Sequence, residues 1–330
     1  MKKLNIAVIG CGAICPSHIN AILASENNIV ALCDVLPSAA QSIIDRFELK
    51  DVAVYTDYIE MLDKVKPDVV HICTPHYLHP EMCVEALNRN INVLCEKPIC
   101  ISLDQIEMIK TALDNSSAQL GVSFQNRYEP AMLRLKELCA NGVVAAGGYV
   151  VWKRGADYYN SADWRGTWKY EGGGVMINQA IHTLDLLMWL CGMPRSVIAH
   201  TSTDVLGDVI EVEDTASARF ECENGTVFHF YATNTALGTF PARLQFKLKS
   251  GEIVDATTSM ITIGKNVDFV KDNSSLGDKA VWGSGHTLLI SHFYECVKNG
   301  DHFPIDLDEA SKAIKMIMAM YRSEGNKLDI

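Results

Sequence analysis

C-x-x-C cysteine pairs, long apolar runs and a surplus of positive charge are all missing from this chain. Basic residues number 29 against 40 acidic ones, a net charge of −11. That balance argues against nucleic acid or an anionic membrane as a partner, so an anionic ligand must be held locally by a helix N-terminus or a few basic side chains. No apolar run approaches membrane-spanning length. Met1-Lys2-Lys3 leads at once into the apolar stretch 4–9, which reads as a buried strand and not as the core of a secretory signal. The 11 cysteines are odd in number and none forms a C-x-x-C pair. Cys33, Cys73, Cys95 and Cys191 sit inside apolar patterns, where cysteine acts as a small hydrophobe. The expectation is a reducing, cytoplasmic compartment, with no disulfide and no metal. Repeats and low-complexity segments are also missing.

What the chain has is length. Its 330 residues, 48% hydrophobic and 21% charged, suit two soluble globular domains better than one. Residues 1–122 alternate short apolar runs (5–9, 29–33, 53–55, 68–73, 92–95 and 120–124) with helical patterns. Continuous apolar strands between helices predict a parallel sheet covered on both faces. Ser102-Leu103-Asp104-Gln105 has the form of a capping box, and Pro80 suits a first helical turn. After residue 122 the pattern changes. A helix over 130–140 precedes strand-like runs at 148–154, 196–203, 215–221, 226–231, 244–248 and 253–257. Asn224-Gly225 marks a hairpin. One helix, 175–191, interrupts the strands, and two more, 286–298 and 307–322, close the chain; 271–285 reads as a loop. The expected fold class is an α/β N-terminal Rossmann domain, 1–122, plus an α+β C-terminal domain, 123–330, with an open, mostly antiparallel sheet. The last helix is free to pack back on the first domain.

Gly10-Cys11-Gly12-Ala13-Ile14 follows a strand and opens a helix, the context a dinucleotide fingerprint requires. The first glycine permits the tight turn, and the second lets a pyrophosphate approach backbone N–H groups. Cys15 stands where a third glycine is usual. Asp34 ends the second strand, 22 residues after Gly12. A carboxylate there accepts hydrogen bonds from the adenosine ribose and repels a 2′-phosphate; Val35-Leu36-Pro37 follow with no basic residue, which favours NAD over NADP.

Two further strand ends point at the same crevice: Thr74-Pro75-His76 after the fourth and Glu96-Lys97-Pro98 after the fifth. Pro98 restricts the backbone of Lys97. A lysine partly desolvated beside a nicotinamide would have a lowered pKa, useful for proton transfer. Taken alone, Glu96 and Lys97 read as a surface ion pair. In the helix 175–191, Asn178, His182 and Asp185 recur at i, i+4 and i+7 as one polar stripe. Such a stripe needs partners, and a substrate pocket supplies them; His182 has the pKa of a general base. A histidine satisfied within the core explains it equally well.

These residues resemble the glucose–fructose oxidoreductase, inositol dehydrogenase and rhizopine-catabolism family (Gfo/Idh/MocA). The resemblance spans nearly the whole chain: Gly10-x-Gly12 with His18, Asp34, Thr74-Pro75 with His79, Glu96-Lys97-Pro98, Trp164-Arg165, and Gly172-Gly173-Gly174 leading to His182 and Asp185. It implies NAD(P)-dependent hydride transfer between nicotinamide and a secondary hydroxyl or ketone of a sugar, cyclitol or related polyol, in a homodimer or homotetramer. Gly10, Cys11, Gly12, Ala13, Ile14, Asp34, Thr74, Pro75, His79, Glu96, Lys97 and Asn126 would then bind the cofactor. Lys97, Arg127, Trp164, Arg165, Asn178 and His182 would bind substrate. Lys97 and His182 would be catalytic and handle the proton. Many members carry an aspartate where this chain has Asn178. An amide holds a hydroxyl but cannot take its proton, which shifts proton transfer to His182 with Lys97; Asp185 is read as a structural hydrogen-bonding residue. Arg127, Lys153, Arg154 and Lys169 are read as ordinary surface charges, against the alternative of a carboxylate- or nucleotide-bearing sugar.

Two other functions stay open on these residues. One is glycoside cleavage through transient oxidation, told apart by tightly retained NAD with no net reduction. The other is a non-catalytic nicotinamide-binding sensor, against which Lys97 and His182 both argue.

Overall fold

The computed structural model describes residues 3–270 and 284–330, so most of the expected loop 271–285 lies outside the described residues. The chain divides into two compact units. The first comprises 1–100, 104–125 and 282–311, and the second 101–103, 126–281 and 312–330. The passage from the first unit falls after residue 125, against an expectation of 122. The segment 284–311 belongs to the first unit, not to the second.

In the first unit, strands β1 (Asn5–Ile9), β2 (Asn28–Cys33), β3 (Ala53–Tyr55), β4 (Val69–Ile72), β5 (Asn92–Glu96) and β6 (Leu120–Ser123) form one parallel sheet in the order β3-β2-β1-β4-β5-β6. This is the order of a dinucleotide-binding Rossmann sheet. Helices α1 (Cys15–Ala24), α2 (Pro37–Phe47), α3 (Tyr58–Val65), α4 (His79–Leu87) and α5 (Leu103–Asp114) link the strands. β4 and β6 are buried at every position, as a sheet covered on both faces demands. The reason 284–311 joins this unit is visible at β6. Val122 N–H donates to the Ile305 carbonyl at 2.9 Å, and Gln119 Nε2 donates to the Asp301 carbonyl at 2.8 Å. Phe293 and Phe303 pack edge to face, 5.1 Å between ring centres. Helix α9 (Gly285–Asn299) also lies against α1.

The second unit carries a nine-stranded sheet. Its strands are β7 (Val143–Val151), β8 (Pro194–Ser202), β9 (Thr215–Cys222), β10 (Val227–Thr233), β11 (Arg243–Leu248), β12 (Ile253–Ala256), β13 (Met260–Ile263), β14 (Asn266–Val270) and β15 (Leu328–Asp329). The order is β14-β13-β12-β11-β7-β10-β9-β8-β15, antiparallel throughout except for β7 beside β10. Burial alternates along β10: Phe228, Phe230 and Ala232 point to the core and His229 and Tyr231 to the outer face. Phe228 stacks on Phe220 of β9, 4.7 Å between centres. Helices α6 (Pro130–Cys139), α7 (Ala156–Tyr159) and α8 (Ile181–Cys191) belong here, and α10 (Leu307–Ser323) starts in the first unit and ends in the second.

Two expectations are corrected in this unit. β7 begins at Val143, not at 148. After Val143-Val144 it runs through Ala145-Ala146-Gly147-Gly148, poor in β-formers, and at Gly148 the side chains of Thr183 and Leu187 of α8 leave no room for a Cβ. The helix expected over 175–191 is two pieces, a π-helix at Met176–Ala180 and then α8. Among the described residues no helix is long and apolar enough to cross a membrane.

Candidate active site

The turn after β1 is shaped for a cofactor. Gly10 has φ +91°, and a Cβ there would sit 2.6 Å from the Cys73 carbonyl oxygen, so only glycine fits. Gly12 and Ala13 are exposed, and a Cβ on Gly12 would meet nothing within 4 Å, which leaves open space above the turn. Helix α1 starts at Ile14-Cys15-Pro16 with no side-chain cap and no acidic residue in its first turn, so its positive end faces outward uncompensated. Asp34 closes the arrangement. One carboxylate oxygen accepts from Cys11 N–H at 2.8 Å and the other from Leu36 N–H at 2.9 Å. The donors fix the orientation of the carboxylate and leave further lone pairs for ribose hydroxyls. These residues fit a dinucleotide.

Under the ends of β4 and β5 lies a buried polar chain that periodicity did not reveal. His18 Nε2 faces Glu96 Oε1 at 2.9 Å, His18 Nδ1 faces His71 Nδ1 at 2.8 Å, and His71 Nε2 faces Tyr294 Oη at 2.8 Å. With Glu96 ionised and both imidazoles neutral, one proton assignment satisfies every contact. Tyr294 O–H donates to His71, His71 Nδ1–H donates to His18, and His18 Nε2–H donates to an ionised Glu96. Both imidazoles are then neutral, in line with burial lowering the pKa of His18 and of His71. Burial works to raise Glu96, but the hydrogen bond from His18 and the nearby His286 ring outweigh it and hold the carboxyl well below its usual range. His286 Nε2 stands 3.5 Å from Glu96 Oε1, an ion-pair distance too long for a well-formed hydrogen bond. One ligand atom from each of His18, Glu96 and His286 falls within 4.8 Å of the others.

This chain corrects two expectations. Glu96 is 6% exposed and its carboxylate lies on His18, so it is not the surface ion-pair residue that the sequence alone suggests. Its role is to anchor the residue before Lys97. His79 likewise sets both ring nitrogens against backbone carbonyl oxygens, Nδ1 2.7 Å from Pro98 and Nε2 2.8 Å from Thr74, and a neutral ring has one N–H to donate between them. It ties together the loop Thr74-Pro75 after β4 and the loop Lys97-Pro98 after β5. Lys97 is half-buried, and the Lys97–Pro98 bond is cis.

In the second unit, Asn126 is half-buried in the short 3₁₀ turn Gln125–Tyr128. Arg127, expected to touch substrate, is 5% exposed and forks onto Asp185, Nε to Oδ2 at 2.7 Å and Nη2 to Oδ1 at 2.6 Å. Asp185 is thus paired with Arg127 in the interior. Along the polar stripe expected over 178–185, Asn178 and His182 are half-buried, while Asp185, one turn on in α8, is 1% exposed. Asn178 Nδ2 donates to Glu171 Oε1 at 2.5 Å and to Tyr158 Oη at 3.0 Å. A carboxylate thus stands beside Asn178 after all, supplied by Glu171, which is 1% exposed and also accepts from Gly166 N–H. Nothing in the local pattern singled out Glu171. Trp164 and Arg165 are half-buried nearby in sequence, Arg165 with its guanidinium over the Tyr158 ring.

The entry to the His182 segment is held by Glu213. Its carboxylate accepts from Gly174 N–H and Met176 N–H, each at 2.9 Å, and from Tyr321 Oη at 2.8 Å. A Cβ on Gly174 would lie 1.8 Å from the Glu213 carbonyl oxygen. Burial pushes the Glu213 carboxyl up to about 7, against the opposing pull of those donors. Because the proton is held more tightly folded than unfolded, the contribution to stability is complete below the usual 4.5 and is lost as pH rises through about 7. Between those limits the stability of the wild type relative to Glu213→Gln should fall by roughly 3 kcal/mol. Urea titrations at pH 4.5 and 8 check this; a flat or rising difference contradicts it.

Residues 4–124 match the oxidoreductase family GFO_IDH_MocA, NAD-binding Rossmann fold, and residues 132–262 match the GFO/IDH/MocA C-terminal domain. D-glucoside 3-dehydrogenase of Escherichia coli is 32% identical over 208 residues, 61% of this chain and 58% of that protein. Inositol 2-dehydrogenase of Salmonella typhimurium is 27% identical over 57% of this chain and 54% of its own length. The chain thus aligns with little more than half the length of these relatives. The WlbA dehydrogenase of Bordetella pertussis, solved with NADH and UDP-GlcNAcA, superposes with a TM-score of 0.85 at 27% identity, covering 100% of this chain and 99% of that one. From the turn at Gly10 to the sheet of the second unit, the chain is a member of the GFO/IDH/MocA oxidoreductase family.

Proposed function

We propose that the protein is an NAD-dependent dehydrogenase, interconverting a secondary hydroxyl and the ketone on a sugar, cyclitol or related polyol. The observation that carries the reading is the first unit's cofactor turn: Gly10, the open position at Gly12, the uncapped start of α1 and the oriented carboxylate of Asp34, on a sheet whose fifth strand ends at Lys97. Supporting it are relatives named as dehydrogenases of a glucoside and of inositol, and a neighbouring structure that holds NADH with a nucleotide sugar.

Gly10, Cys11, Gly12, Ala13 and Ile14 would cradle the pyrophosphate, and Asp34 would take the ribose hydroxyls. The bound nicotinamide supplies the acceptor for hydride from the carbinol carbon. Lys97 donates to the reacting oxygen, held in place by the anchored Glu96 before it and by His79 across the loop. His182 takes the hydroxyl proton as a neutral imidazole and returns it in the reverse direction. Asn178, its amide oriented by Glu171 and Tyr158, positions a substrate hydroxyl. The outer sheet face, with Tyr149, Tyr231 and Ile253 exposed, supports assembly into a homo-oligomer.

The test is a polyol and sugar panel with NAD and NADP, read at the absorbance band of reduced nicotinamide. Turnover with NAD supports the reading, and none on any member contradicts it. Asp34→Ser should raise KM for NAD about tenfold, the loss of a hydrogen bond to a charged group, and narrow the preference over NADP. An unchanged KM and ratio would show that Asp34 does not read the ribose.

A further inference from the structure

Arg154 and Arg165 stand on the two sides of α7 in sequence and meet at one aromatic ring. The guanidinium carbon of Arg154 lies 4.3 Å from the centre of the Tyr158 ring, and that of Arg165 lies 4.2 Å from it. The two charges are therefore no farther apart than the sum of those distances, close to the ~8 Å screening length of physiological salt. Both side chains are half-buried, and the Nε of each is buried with no hydrogen-bond partner among the described residues. Arg165 spends Nη1 on the Tyr158 carbonyl at 3.0 Å and on the Ser161 hydroxyl. Arg154 packs on Trp152, 5.2 Å to the ring centre.

Neither arginine pairs with a carboxylate among the described residues. The contrast is with Arg89, Arg127, Arg134, Arg219 and Arg243, each of which has an acidic partner. In a chain of net charge −11, two neighbouring half-buried cations without a counter-charge are unusual. Aromatic stacking offsets part of their repulsion and desolvation, and an anion would offset the rest. The same tyrosine reaches the proposed reaction centre, because its hydroxyl accepts from Asn178 Nδ2 at 3.0 Å and Asn178 lies four residues before His182.

We infer that Arg154 and Arg165 form a subsite for an anionic group on the substrate, a carboxylate or a phosphate carried by the sugar. This rests on the dehydrogenase reading for the word substrate, but not for the binding itself. The arrangement replaces the reading of Arg154 as an ordinary surface charge. A sugar acid or sugar phosphate would place its charge on the two guanidinium forks and a ring hydroxyl toward Asn178.

The test is calorimetric titration of the full-length protein, loaded with NAD, using glucose, glucuronate and glucose 6-phosphate. The acidic sugars should bind at least about tenfold more tightly than glucose, the margin of one charge-assisted hydrogen bond. Arg154→Gln and Arg165→Gln should each abolish that margin. Arg154→Gln is the cleaner variant, since this side chain makes no hydrogen bond within the described residues, and an unchanged melting temperature certifies its fold. A margin for glucuronate alone assigns the subsite to a carboxylate, and one for glucose 6-phosphate alone assigns it to a phosphate. No margin in the wild type, or a margin untouched by Arg154→Gln, overturns the inference. An enzyme that turns over neutral and acidic polyols equally well overturns the subsite and leaves the dehydrogenase reading standing. An arginine-dependent margin with no turnover does the reverse.

Discussion

Lys97→Ala is expected to lower kcat on a polyol substrate by about 10²–10⁴-fold, the range for losing a group that assists proton transfer, with NAD affinity changed far less. The residue before it, Glu96, is fixed through His18, His71 and Tyr294, and the residue after it is tied through His79. The side chain can be removed without disturbing any of these contacts, so the loss should fall on the chemical step. Steady-state kinetics with separate determination of kcat and of the dissociation constant for NAD checks this. Wild-type kcat in Lys97→Ala would remove Lys97 from the reaction. A loss confined to NAD binding would make it a cofactor residue alone.

The second large effect is on stability. Arg127→Ala should destabilise the protein by about 3–5 kcal/mol, because it strands a carboxylate in the interior. Asp185 is 1% exposed and receives both arms of the guanidinium, which also lies 5.5 Å from the centre of the Trp189 ring. Removing both charges, as Arg127→Met with Asp185→Leu, should recover most of the loss, since an apolar pair of similar volume does not leave a buried charge behind. Urea denaturation of the single and double variants decides the matter. A single variant within about 1 kcal/mol of wild type would mean that the pair is solvated and surface-like.

Much of this was legible in the residues. The parallel sheet announced itself by continuous apolar runs, and the edges of β1 and β3 match the pattern to the residue. The cofactor turn was legible because its requirement is local: a glycine with positive φ, an open position and a carboxylate at the next strand end. Most of what was missed is non-local or masked by composition. β14 is a short, mostly exposed edge strand and β13 beside it has only four residues, and only Gly264-Lys265 between them hints at a turn. The first half of β7 looks like a loop because small residues there serve helix packing. Helical spacing put Asp185 on a stripe with His182, and both do lie in α8, but Arg127, 58 residues away in sequence, pairs with the carboxylate. The chain from Glu96 to Tyr294 joins residues from four separate elements, and no local pattern signals such a meeting. Glu171 was overlooked for the same reason, although it supplies the carboxylate that position 178 lacks.

The most direct test of the central claim follows hydrogen itself. A panel of polyols and sugars deuterated at the ring carbons, offered with NAD, is read by mass spectrometry of the nicotinamide product. The account predicts deuterium in the reduced nicotinamide for at least one polyol, with the transfer lost together in Lys97→Ala and His182→Ala. Bound NAD that never acquires deuterium from any member of the panel would contradict it.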